Sequence, residues 1–125
     1  MITLAYLYAM ALAWINATDD ADDIAAHEPI PHGWAFWLRR AFSYAVPVTV
    51  FALVSGNTSH LIAALIGGGA LFAIIHRYVL NWQRLLPSTY TSNSNGYDRA
   101  WRKVFGEYAG HAMYVLEAAI TLLCA

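Results

Sequence analysis

The chain has 125 residues, of which 59% are hydrophobic and only 12% are charged, and its net charge is −1. The length fits one domain, and the charged share is about half of what a soluble domain carries. Such a balance of charges provides no basic field, so nucleic acid is excluded as an expected partner. The single cysteine, Cys124, excludes an intrachain disulfide and a thiolate metal cluster.

Four apolar segments follow one another and predict an all-α, polytopic membrane protein with four short transmembrane helices in one domain. The predicted spans cover about residues 2–17, 36–55, 60–82 and 104–125. The third contains LIAALIGGGALFAII, which has no polar face, unlike an amphipathic helix of a soluble bundle. The strictly apolar runs are shorter than the roughly 20 residues that a span needs, so interfacial residues must complete them. A compact soluble bundle with buried apolar helices is the alternative.

An acidic stretch follows the first segment and offers candidate metal ligands. In a helix that continues past the apolar run, Asp19, Asp23 and His27 repeat every four residues and share a face. His32 follows after two prolines that must end such a helix. Carboxylates with imidazoles suit a divalent metal, magnesium or manganese by the oxygens and zinc or iron by the histidines. The alternative is a solvated acidic segment that ends a membrane helix and needs only water.

The second and third segments carry residues that shape helix packing. Pro47 is expected to kink the second segment and make room for a neighbour. The triplet Gly67-Gly68-Gly69 in the third allows another helix to come close within a membrane.

A basic stripe extends the third segment. Arg77, Asn81 and Arg84 are spaced so that they share one helix face. They are expected to contact phosphates or to pair with Asp19 or Asp23 on the same side of the membrane. Plain anchoring in the headgroups is the third interpretation.

The last part of the chain combines a loop, a short helix and the fourth segment. Residues 87–96 are dense in turn formers and predict a loop, and residues 97–107 predict a short interfacial helix on the cytoplasmic side. His111 and Glu117 lie within the fourth segment, where ionisable residues are costly and indicate a function. Glu117 is expected to face the bundle interior and to bond a hydroxyl such as that of Tyr114.

The positive charges are sorted in a way that sets the predicted orientation. All seven basic residues lie in the first and third connections between the strictly apolar runs, which cover about residues 2–17, 41–55, 61–75 and 109–125. They are Arg39, Arg40, Arg77, Arg84, Arg99, Arg102 and Lys103. Four spans place these two connections on one face, which the positive-inside rule makes cytoplasmic. We therefore expect a multi-pass protein of the cell inner (cytoplasmic) membrane with both termini outside.

The order of polar residues resembles a pattern in small integral membrane proteins encoded by phages and prophages. The residues are Asp23, His27, His32 and Arg39 after the first span, then Asn81-x-x-Arg84, Tyr90 and Tyr97-Asp98-Arg99 before the last. The resemblance covers most of the chain through scattered single residues. Because such proteins generally have no assigned activity, it implies a membrane setting and no particular reaction.

Two functions fit these observations. The favoured one is a non-enzymatic membrane protein that acts in the lipid bilayer by assembly, as a holin-like homo-oligomer or as a subunit of a larger membrane complex. The other is a membrane-embedded metal-dependent hydrolase that acts at the cytoplasmic face on a lipid-linked or phosphorylated substrate. Its metal ligands would be Asp19, Asp23, His27 and His32, with His76 as a further ligand or base and Arg77 and Arg84 as phosphate clamps.

Overall fold

A computed structural model describes residues 1–27, 34–92 and 96–125, and every regular element in these ranges is a helix. The predicted all-α class is confirmed. The helices are α1 (Ile2–Ala25), α2 (Trp34–Val54), α3 (Leu61–Gln83), α4 (Gly96–Phe105) and α5 (Ala109–Leu123), with a 3₁₀ turn (Gly106–Tyr108) between the last two.

The first helix is longer than the apolar run that predicted it. α1 has 24 residues and passes through the acidic stretch to Ala25, so at 1.5 Å per residue it is about 36 Å long. His27 lies beyond its end with a φ of 57°. It therefore does not continue the helix face of Asp19 and Asp23. The predicted proline break, at residues 29 and 31, lies outside the described residues.

The fourth predicted span is divided in two by the structure. α4 ends at Phe105 and α5 begins at Ala109. Between them, Gly106 adopts a φ of 59°, a left-handed conformation that ends a helix and that glycine adopts readily. The predicted interfacial helix is thus a separate element, α4, at 96–105.

The third helix is the centre of the packing. α3 contacts α1, α2 and α5, and its contact with α1 is the most extensive in the described part of the chain. Small residues line these contacts. A Cβ added to Gly67 would meet the Tyr6 hydroxyl and the Cβ of Cys124, and one added to Gly68 would meet the Tyr44 hydroxyl. Two of the three glycines therefore serve close helix approach within the chain, as predicted for the triplet.

Tyrosine hydroxyls join neighbouring helices through backbone carbonyls. Tyr44 Oη donates to Ala64 O at 2.7 Å, and Tyr6 Oη donates to Thr121 O at 2.9 Å. α2 runs through Pro47 without interruption. The carbonyl that proline leaves without a helical partner is that of Ser43, four residues earlier. Tyr8 Oη donates to this carbonyl at 2.7 Å and so replaces the lost bond.

The loop after α3 is held against the start of α5. Asn81 Nδ2 donates to the carbonyls of Ser88 and Tyr90, and Tyr114 Oη donates to Ser88 O at 2.8 Å. A Cβ on Gly110 would overlap the carbonyl of Thr89. The buried Asn81 side chain is thus occupied in fixing this loop.

The distribution of side chains between inside and outside runs opposite to that of a soluble bundle. Most buried apolar side chains in the described ranges are alanines: Ala5, Ala9, Ala13, Ala17, Ala52, Ala64 and Ala109. Large apolar side chains point outward on every long helix, among them Leu4, Ile15, Leu53, Ile62 and Val115, which are each more than half exposed. Among the described residues, α3 alone is both long and apolar enough to cross a membrane by length and composition.

Candidate functional site

Two groups of charged side chains meet at α3 near the end of the bundle that carries the basic residues. They are organised by adjacent residues, His76 and Arg77. Consecutive positions on a helix point about 100° apart. His76 therefore faces α1 and α2, whereas Arg77 faces α5.

The first group joins three helices through Asp20, Arg40 and His76. Arg40 Nη2 donates to Asp20 Oδ1, while His76 Nε2 lies 3.0 Å from Asp20 Oδ2 and 3.1 Å from Arg40 Nη1. Asp20 and Arg40 are only 5% and 7% exposed. Since a buried charge is costly without a partner, this pairing is what permits α1 to carry an aspartate into the interior.

One nitrogen of His76 faces both a carboxylate and a guanidinium. If Nε2 carries a hydrogen, it donates to Asp20; if it does not, it accepts from Arg40. A neutral ring can therefore satisfy one of the two neighbours at a time. With a neutral ring the group has no net charge, because Asp20 and Arg40 balance.

Asp20 and Arg40 satisfy each other inside the bundle. Both oxygens of the Asp20 carboxylate have a hydrogen-bonding neighbour, Arg40 at Oδ1 and His76 at Oδ2, and hydrogen bonds to a buried charge offset the loss of water around it. The Arg40 guanidinium carbon lies 4.2 Å from the centre of the Phe36 ring, and this cation–π contact adds to its stabilisation. Its Nε is buried without a hydrogen-bond partner among the described residues.

The second group is a bidentate ion pair between α3 and α5. Arg77 Nη1 and Nη2 donate to the two carboxylate oxygens of Glu117 at 2.8 and 2.9 Å. The guanidinium carbon also lies 5.1 Å from the centre of the Tyr114 ring. This fork-to-fork geometry is the strongest form of a protein ion pair. Glu117 faces the interior as predicted, but its partner is Arg77 and not the Tyr114 hydroxyl.

An open polar cavity of about 500 Å³ adjoins the first group. It lies between the end of α1 and the start of α2. Its lining residues are Asn16, Asp19, Asp20, Asp22, Asp23, Phe36, Arg39 and Arg40. The cavity brings four aspartates of α1 next to two arginines of α2, so anionic and cationic groups line the same cavity.

The four predicted metal ligands lie in different surroundings. Asp19 and Asp23 both line the cavity, His27 is exposed beyond the end of α1, and His32 lies outside the described residues. Within the described ranges, no three His, Cys, Asp or Glu side chains are grouped so that they could hold a metal ion. A metal site that includes His32 stays a prediction.

The basic stripe is brought together on one face of α3, but its members have separate partners. Arg77 pairs with Glu117, so the expected pairing with Asp19 or Asp23 does not occur. Asn81 holds the loop after α3, and the Arg84 guanidinium carbon lies 5.9 Å from the centre of the Tyr90 ring. The phosphate role of these residues stays a prediction.

The sequence contains a pattern that indicates burial of Asp20, although the neighbouring aspartates make this residue look like part of a solvated acidic stretch. Ala5, Ala9, Ala13 and Ala17 repeat every four residues and face the interior, and Asp20 follows three residues later on the same face. In the same way, Arg40 precedes the buried Tyr44, Val48 and Ala52 at spacings of four. Extending the two small-residue patterns towards the charged end would have identified Asp20 and Arg40 as partners.

Comparison of the chain with protein-family models, with curated proteins and with solved structures finds no match.

Proposed function

We propose that this chain is a small multi-pass protein of a bacterial inner membrane that acts by assembly, with further copies of itself or as a subunit of a larger membrane complex. The spans would be α1, α2, α3 and α5, with both termini outside. The observation that carries the proposal is the inverted burial, with alanine and glycine inside and large apolar side chains outside.

The inverted burial is favourable in lipid and unfavourable in water. Apolar surface left in water forgoes about 25 cal/mol per Å², and soluble monomers rarely expose large contiguous apolar areas. In lipid, exposed Leu, Ile and Val lose nothing, and helices associate through small residues that let their backbones come close. The α1–α3 contact has this character, with Ala9 and Ala13 fully buried on α1 and Gly67, next to Tyr6, buried on α3.

The ends of the helices support one orientation in the membrane. Trp14 and Trp82 are in ring contact, with centroids 6.1 Å apart, close to the end that carries the ion pairs. Tryptophans collect at membrane interfaces, and arginines and lysines favour the cytoplasmic side. At the opposite end, Gly67 lies close to Tyr6 and Cys124, which brings together the two ends of the chain.

Assembly as the mode of action is supported by how the buried charges are used. The arginines that enter the bundle are neutralised by Asp20 and Glu117 of the same chain. The outward faces are apolar and therefore available to lipid or to other membrane helices. A holin-like lesion former, derived from a phage or prophage, is the specific version of this proposal that the resemblance favours.

The proposal is tested by extraction and by labelling of single cysteines. Membranes from expressing cells are washed with alkaline carbonate, and the chain should stay in the pellet. In a Cys124→Ala background, which keeps the Cβ next to Gly67, Asn57→Cys should react with an impermeant maleimide from outside. Lys103→Cys should react only after permeabilisation. Release by carbonate, or labelling of both cysteines from the same side, would refute the four-span topology.

The holin-like version has its own test. Overexpression in a bacterium should collapse the membrane potential and lyse the cells. Normal growth and potential at high expression would eliminate lesion formation while leaving the role as a subunit of a complex.

The alternative of a metal-dependent hydrolase retains one supporting observation, the polar cavity that contains Asp19 and Asp23. Metal analysis of the purified protein tests it. Binding near one metal per chain, lost on Asp23→Ala together with His32→Ala and retained on the control Asp98→Asn, would favour the hydrolase over assembly.

A further inference from the structure

α4 is the one α-helix in the described ranges without a buried residue, and its two faces differ sharply in chemistry. Resting on the membrane location proposed above, we propose that α4 lies in the cytoplasmic interface and binds the headgroups of anionic phospholipids through Arg99 and Lys103. Its aromatic face would enter the boundary between headgroups and acyl chains.

The apolar face is a ladder of aromatic rings. Tyr97, Trp101 and Phe105 repeat every four residues, with ring centroids 6.2 Å apart for the first pair and 5.3 Å for the second. Val104 extends this face and is 74% exposed. Amphipathic aromatic rings are the side chains that favour the headgroup region.

The opposite face carries positive charge that is not used within the described part of the chain. Arg99 and Lys103 are four residues apart and exposed, and no described acidic side chain pairs with either. The other charged groups of α4 are engaged: Asp98 Oδ2 accepts from the Ser92 N–H at 2.7 Å, and Arg102 Nη1 donates to Thr91 O at 3.3 Å. Two free cations above an aromatic face are typical of a helix that lies on an anionic membrane.

The break at Gly106 allows α4 to leave the direction of the span. α5 begins at Ala109, and the close approach of Gly110 to the Thr89 carbonyl fixes that start against the loop. α4 nevertheless packs on α5. It is therefore held beside the cytoplasmic end of the bundle, where the anionic headgroups are.

The test uses the full chain reconstituted in lipid, with a fluorophore at Ala100→Cys in the Cys124→Ala background. Quenching by brominated phosphatidylglycerol is compared with quenching by brominated phosphatidylcholine at the same mole fraction. Each positive charge near an anionic surface is worth about 1 kcal/mol, or about fivefold in local preference. The preference for phosphatidylglycerol should be severalfold at low salt and should vanish near 1 M salt, where the Debye length is about 3 Å.

Matched variants test whether Arg99 and Lys103 cause the preference for phosphatidylglycerol. Arg99→Gln with Lys103→Gln should reduce the quenching ratio to about one, whereas Arg99→Lys with Lys103→Arg should preserve it. Arg39→Gln, which removes an exposed basic residue outside α4, should leave it unchanged. A ratio near one in the parent chain, or a preference that survives neutralisation, overturns the proposal.

Three further outcomes of these experiments can be told apart. If the neutral variant lowers energy transfer between labelled copies and the parent shows no lipid preference, the basic face binds a second copy and the lipid proposal is wrong. If carbonate releases the chain, the membrane proposal itself fails. A chain retained in the membrane without lipid preference contradicts only the role of α4.

Discussion

Gly68 offers the sharpest test of the helix packing, because the neighbouring Gly69 provides an internal control. A Cβ at position 68 would overlap the Tyr44 hydroxyl and lie 2.6 Å from the ring carbon Cζ, whereas a Cβ at position 69 would meet nothing within 4 Å. Tyr44 is buried, and its hydroxyl is held by the Ala64 carbonyl. The ring therefore cannot move aside without losing that bond.

The expected free energy change follows from three contributions. Glycine to alanine in a helix interior gains about 1 kcal/mol in helix propensity at either position. At position 68, overpacking costs about 1–3 kcal/mol, and losing the Tyr44 hydrogen bond costs about 1 kcal/mol more. Gly68→Ala should thus be net destabilising by about 1–3 kcal/mol, while Gly69→Ala should be stabilising by up to about 1 kcal/mol.

The assay is reversible unfolding in mixed micelles of a mild detergent and dodecyl sulfate, followed by far-UV circular dichroism. Gly67→Ala should resemble Gly68→Ala, because its Cβ would meet Tyr6 and the Cβ of Cys124, 2.6 Å away. Equal stabilities of the Gly68→Ala and Gly69→Ala variants would refute the placement of α2 against α3.

Three further predictions concern the polar contacts between helices. Asp20→Asn should lower the free energy of unfolding by about 3–5 kcal/mol, because it leaves the buried Arg40 guanidinium without its charged partner. Unfolding in the same mixed micelles measures this change, and an unchanged stability would contradict the pairing. Glu117→Gln should lower the free energy of unfolding by about 3–5 kcal/mol, because it leaves Arg77 unpaired. The double variant Glu117→Leu with Arg77→Met should recover most of this loss. No recovery would mean that the ion pair does not act independently of its surroundings. Tyr8→Phe should lower the free energy of unfolding by about 1 kcal/mol. The loss should be smaller in a Pro47→Ala background, where the backbone N–H of residue 47 again donates to the Ser43 carbonyl. Equal losses in both backgrounds would exclude the idea that Tyr8 replaces the hydrogen bond removed by Pro47.

Much of the helical framework could be predicted from the sequence, since apolar runs identify α2 and α3 closely. The extent of α1 could not. Its apolar run ends before the aspartates, yet the helix continues to Ala25. The reason is tertiary: Asp20 is satisfied by Arg40 and His76, which lie 20 and 56 residues away along the chain. A local pattern does not contain such a partner.

The candidate site could be predicted only in part, again because its pairs form between residues far apart in the sequence. The sequence indicated a polar pairing of Arg77 and an interior Glu117 but did not join the two, because charge proximity favoured the aspartates as partners of Arg77. Which residues pair depends on the direction in which each side chain points. Asp19 and Asp20 differ by about 100° around α1, so Asp19 is exposed in the open cavity while Asp20, at the inner wall of the same cavity, is buried in the bundle. The helix break at Gly106 was not predicted, because a single glycine among apolar residues is only a weak indication that a helix ends.

The adjacency of His76 and Arg77 explains how a bundle lined by small residues keeps one arrangement. Alanines at every fourth residue present much the same surface one turn further along the helix, so sliding α1 by four residues would change little in its packing against α3. The same shift would separate Asp20 from Arg40 and leave both charges buried without partners, which costs several kcal/mol. Because His76 faces α1 and α2 while Arg77 faces α5, two consecutive residues of α3 fix the register of its neighbours. The small residues supply close contact, and the two groups of paired charges determine which register of each helix that contact stabilises.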